Sequence, residues 1–225
     1  MQLASKHLTL TVNDATRVSG LLLHPPGSRL CMVLAHGAGA GMEHPFMEAL
    51  ARDLALRDVS TLRYQFPYME RGDRRPDPPP LCHATVRAAV AEARERLPQS
   101  RLIAGGKSFG GRMTSQAQAK MPLPGVSGLV FFGFPLHPAG KPSTDRAAHL
   151  SEISVPMLFV QGTRDTLADQ SLLRPLAASL PPATLEAIEG ADHSFHVPAR
   201  SGRTDAQVRA AMVEAFLAWS AKTKE

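Results

Sequence analysis

Three side chains of unlike chemistry, Ser108, Asp165 and His193, each follow a short apolar run in this 225-residue chain. A serine hydroxyl is a weak nucleophile at neutral pH. It becomes reactive when an imidazole takes its proton and a carboxylate fixes the imidazole's tautomer and stabilises its charged form. Ser108 sits in Gly105-Gly106-Lys107-Ser108-Phe109-Gly110-Gly111, directly after the apolar run 102–104. That is a GxSxG turn between a strand and a helix. Gly106 and Gly110, lacking Cβ, let the two elements approach closely enough for the hydroxyl to stand exposed on the bend. Asp165 lies in Gly162-Thr163-Arg164-Asp165 after the run 157–161, and His193 in Gly190-Ala191-Asp192-His193 after the run 184–188. The chemistry these residues could perform together is acyl transfer through a covalent serine intermediate.

Each residue also has a plainer reading. Ser108 could be only a helix N-cap. Asp169 competes with Asp165, although it is itself well suited to cap a helix beginning near Gln170. His196 competes with His193. Asp192 is adjacent in sequence to His193 and so badly placed to orient it, which favours a turn-forming role. Position at a strand end selects Asp165 and His193. The tetrahedral oxyanion of acyl transfer needs preorganised donors, and the backbone amides of Ala38 and Phe109 are expected to supply them. Met42, Phe66, Tyr68 and Phe134 fall near strand ends and are expected to line an acyl pocket, though core packing suits each equally. The Gly-Lys-Ser triplet lacks the spacing of a phosphate-binding loop, and no dinucleotide motif is present, so no cofactor is expected. No metal is expected either, since Asp192, His193 and His196 offer only an HxxH spacing in one loop. Arg71, Arg74 and Arg75 read as solvated residues of a proline-rich loop.

The elements that must bring these residues together follow from hydrophobic patterning. Segments 7–12 and 18–23 read as an antiparallel hairpin around Asn13-Asp14. Beyond it come the continuous apolar strand Leu30–Ala35 and further strands at Val59–Tyr64, before Ser108, and at Val126–Phe132, 157–161 and 184–188. Helical spacing appears at 46–57, 84–97, after Ser108, at 170–180 and at 206–221. Strand and helix in alternation predict a parallel α/β sheet covered on both faces, with its site in loops at the C-terminal strand ends. Residues 66–80, rich in proline, are expected to be irregular.

Composition narrows the class. Hydrophobic residues make up 44% and charged residues 20% of the chain, ordinary globular values that fit one domain over residues 1–225. No segment reaches the roughly 18 apolar residues of a membrane helix. The start lacks a secretory layout, and only two cysteines occur, Cys31 and Cys82, so a cytoplasmic location with reduced thiols is expected. The net charge is +5, but the basic residues are scattered without interleaved aromatics, which argues against a nucleic-acid partner.

With the Gly-Lys-Ser-Phe-Gly turn, the His36-Gly37-Ala38-Gly39 loop, the Gly-Thr-Arg-Asp turn and the Gly-Ala-Asp-His turn in view, the chain resembles the α/β-hydrolase superfamily. It looks most like the small dienelactone-hydrolase-like branch. The resemblance implies the α/β-hydrolase fold, with about eight mostly parallel strands, and Ser-His-Asp hydrolysis of an ester or thioester carried by Ser108, His193 and Asp165. Dienelactone hydrolases use a cysteine nucleophile where this chain has Ser108, which argues against dienelactone as substrate. The short interval before Met157 leaves no room for a cap domain, so an open cleft and short acyl esters are expected. The alternative is a catalytically silent hydrolase-like domain that binds partner proteins.

Overall fold

The computed structural model describes residues 4–223. Its centre is an eight-stranded sheet in the order β1-β2-β4-β3-β5-β6-β7-β8. β1 (Lys6–Asn13) and β2 (Thr16–Leu23) form the antiparallel hairpin, and the Asn13 carboxamide oxygen accepts from the Ala15 amide within its turn. β2 pairs antiparallel with β4 (Val59–Tyr64). The remaining pairs are parallel: β4 with β3 (Leu30–Ala35), then β5 (Arg101–Lys107), β6 (Val126–Phe132), β7 (Met157–Gly162) and β8 (Ala183–Ile188).

The central strands are predominantly apolar because both faces are covered. On one face Met32, Leu34, Ile103, Val130 and Val160 pack against α1 (Pro45–Ala55) and α6 (Asp205–Lys222). On the other, Cys31, Val33, Ala104 and Phe131 pack against α3 (Pro79–Arg96) and α4 (Phe109–Lys120), with Leu173 of α5 (Gln170–Ser179) further along that layer. Residues 133–156 add only the 3-10 segment Asp145–Glu152, which docks on α4 through a 2.7 Å hydrogen bond between Ser115 and His149. No cap domain is inserted among the described residues, and no helix there is long and apolar enough to cross a membrane.

Two expectations need correction. Residues 66–80 are not wholly irregular, because Pro67–Glu70 forms a helical turn, α2, and α3 starts at Pro79 rather than near residue 84. In both places prolines occupy the first helical positions, whose amides have no intrahelical acceptor, so the missing N–H costs nothing there.

Candidate active site

Ser108 lies between the last residue of β5 and the first of α4, at φ 50° and ψ −115°. A residue with a Cβ is strained in that conformation. What holds it is the close packing around it. The Ser108 amide donates to the Phe132 carbonyl over 3.1 Å. A Cβ on Gly106 would lie 2.3 Å from the Ala35 carbonyl oxygen, and one on Gly110 would lie 2.5 Å from that of His36. Strand β3 thus presses on both sides of the turn, and only glycine fits at either position.

β7 ends at Gly162, and the loop after it carries Asp165, whose side chain is buried. Its Oδ1 accepts from the Leu167 amide over 2.8 Å, and its Oδ2 from Gln161 Nε2 over 2.5 Å and from His193 Nδ1 over 2.7 Å. With the proton of the imidazole committed to Asp165, Nε2 is left as the acceptor. It faces Ser108 Oγ at 2.9 Å. The three residues thereby form one unbroken hydrogen-bonded chain from a buried carboxylate to a hydroxyl at the cleft.

The competing residues have other duties. Asp169 caps α5 by accepting from the Ser171 amide over 2.8 Å. His196 pairs with Asp205 at 2.9 Å on the surface, and that carboxylate raises its pKa. Asp192 accepts from the amides of Ser194 and His196 at 2.8 and 2.9 Å, so it shapes the turn that presents His193. Arg71, itself half exposed, pairs with Asp73 and Asp77.

Beside Ser108 and His193 lies a cavity of about 370 Å³. Ala38, Ala40, His44, Phe46, Leu167 and Lys107 contribute to its walls. Neither the Ala38 amide nor the Phe109 amide donates to a protein acceptor among the described residues, which leaves both free for a ligand oxygen. The loop carrying Ala38 is held by His36, which is fully buried, donates from Nδ1 to the Gly37 carbonyl over 2.8 Å and accepts at Nε2 from the Phe66 amide over 3.0 Å. Burial pushes its pKa down to about 4, so the neutral ring that this pairing requires is the stable form.

The four residues expected to line the pocket do not border this cavity. Phe66 and Tyr68 are buried against His36 and Phe109, with the Tyr68 hydroxyl accepting from the Gly39 amide over 3.3 Å. Phe134 packs edge-on against Phe131 and Phe159 in the core. Met42 is buried beneath its loop, pinned through its backbone by Gln65 and Arg63. Each sits near a strand end as sequence reasoning held, but its side chain points into the protein. Sequence reasoning also passed over Gln161, Lys107 and His44. Only Lys107 carried a signal, as the residue preceding the nucleophile.

A strand-turn-helix serine, a strand-end carboxylate and a later strand-end histidine on a mostly parallel sheet define the α/β-hydrolase class. Residues 28–221 match the family model described as alpha/beta hydrolase domain, and the chain belongs to that family. Among solved structures it is similar to a lidless α/β serine hydrolase from Xanthomonas campestris, at 20% identity, TM-score 0.73, and coverage of 97% of this chain and 96% of that one. Dienelactone hydrolase from Anabaena variabilis matches at 19% identity and TM-score 0.73, covering 96% and 98%. The esterase domain of a Rhodothermus marinus protein matches at 16% identity and TM-score 0.72, covering 98% of each chain.

Proposed function

We propose that this protein is a serine hydrolase that cleaves carboxylic esters or thioesters of short acyl groups. The observation that carries the reading is the chain Asp165–His193–Ser108, with bonds of 2.7 and 2.9 Å. In acylation, Ser108 Oγ attacks the ester carbonyl carbon while its proton passes to His193 Nε2. The carbonyl oxygen, now negative, accepts from the amides of Ala38 and Phe109. His193 then protonates the departing alcohol or thiol. In deacylation, water attacks the acyl carbon, gives its proton to His193, and the C–Oγ bond breaks as that proton returns to Ser108. A cavity of about 370 Å³, without a cap above it, suits a small acyl group.

A fluorophosphonate probe tests the reading, since it reacts only with an activated serine. Wild type should be labelled and Ser108→Ala should not. Among p-nitrophenyl esters, turnover should be greatest at about two to four acyl carbons, because chain-length preference reports pocket depth. An optimum at eight or more carbons would overturn the short-acyl assignment. Absence of labelling would overturn the hydrolase itself in favour of a silent partner-binding domain.

A further inference from the structure

Lys107 is the residue before the nucleophile, and it borders the same cavity. Its ammonium donates to the backbone carbonyl of His193 over 2.6 Å and lies 5.4 Å from the centroid of the Phe195 ring. Two consecutive residues therefore grip one histidine: Lys107 holds its carbonyl and Ser108 its ring. No carboxylate forms an ion pair with the ammonium among the described residues. Asp165 and Asp192 attract it only from further away, His44 and His193 share its cavity, and burial pushes its pKa down to about 8. A methionine would fill the same channel without a charge to desolvate. What the ammonium adds is the tether to residue 193.

The tether matters most when the other grip is absent. Once Ser108 is acylated, its Oγ carries no proton and the imidazole loses that partner. Asp165 then fixes the ring only from the Nδ1 side. We propose that Lys107 is a positioning residue that keeps His193 aimed at the acyl carbon during deacylation, so that Nε2 can take the proton of the attacking water. The proposal rests on the hydrolase reading above and assigns a division of labour within it.

The test is Lys107→Met, assayed by pre-steady-state release of p-nitrophenol from p-nitrophenyl acetate. The burst, which reports acylation, should stay within about threefold of wild type. The steady-state rate should fall roughly ten- to a hundredfold, the loss that a displacement of about 1 Å produces. Because deacylation then limits turnover, kcat and KM should fall together, with kcat/KM nearly unchanged. Lys107→Cys, aminoethylated at the introduced thiol, should recover the steady-state rate. Native Cys31 and Cys82 are buried, and burial raises both thiols to about 12, so they resist the reagent. Hydrogen exchange over residues 190–197, measured without substrate, should quicken in Lys107→Met and slow again after aminoethylation. A purely structural lysine would instead lower melting temperature, burst and steady state alike. That pattern, a kcat/KM falling in proportion to kcat, unchanged exchange at 190–197, or a folded aminoethylated variant that stays slow would each overturn the proposal. Failure of wild type to react with the fluorophosphonate would count against the hydrolase reading instead, and the exchange measurement would still decide the tether.

Discussion

Replacing Ser108 by glycine should stabilise this protein relative to replacing it by alanine, although both changes remove the nucleophile. The residue is held at φ 50° and ψ −115°. Alanine keeps a Cβ there and so retains the strain, which for such a conformation is about 1–3 kcal/mol. Glycine relieves it but gives up about 0.5–1 kcal/mol through its greater freedom in the unfolded chain. Both variants lose the same hydrogen bond to His193 and keep the Ser108 backbone bond to Phe132, so those contributions cancel. The difference is about 0–2.5 kcal/mol in favour of glycine, or up to about 10 °C in melting temperature for a chain of this size. Scanning calorimetry of the two variants side by side reads it directly. If the glycine variant melts below the alanine variant by about 1–4 °C, the loss its added freedom alone would cause, the bend stores no strain, and the account of how the hydroxyl is displayed is wrong.

Asp165→Asn should leave the fold intact and reduce kcat roughly 10³–10⁴-fold, because a carboxamide no longer enforces the tautomer that aims Nε2 at Ser108; steady-state ester hydrolysis with a melting control checks it. Gly110→Ala drives a Cβ to 2.5 Å from the His36 carbonyl oxygen and should cost more than about 3 kcal/mol, so a denaturation midpoint close to wild type would contradict the packing argument. His36 binds its proton near pH 4 in the folded state, against an ordinary value of 6.5. The unfolded chain therefore takes up that proton first, and the contribution, complete above pH 6.5, is lost as pH falls towards 4, by up to about 3 kcal/mol. Urea midpoints across that range measure it, and an imidazole titration near pH 6 assigned to His36 would refute it.

Much of the architecture was legible because periodicity reports burial. Leu30–Ala35 reads as a continuous apolar run and is a strand covered on both faces. The hairpin at β1 and β2 was legible from its turn and alternation. The start of α3 was not, since a run of prolines signals a break unless it falls in a first helical turn, and only the docking of that helix on the sheet shows that it does. Asp165 and His193 were separable from Asp169 and His196 because a parallel sheet delivers strand-end residues to one edge.

Local order along the chain pointed to a hydroxyl, an imidazole and a carboxylate that the fold brings within hydrogen-bonding distance, for each is presented by a strand end whose direction the alternating pattern dictates. It could not say which side chains wall the cleft. That depends on how α1 is rotated and how the 36–44 loop is clamped by His36, Gln65 and Arg63, all contacts between residues distant in sequence. The same holds for Gln161 beneath Asp165 and for Lys107 against the carbonyl of His193. Types and spacings specify which groups are brought to the edge, whereas the direction each one points is set by packing forces that exist only once the layers have closed on one another.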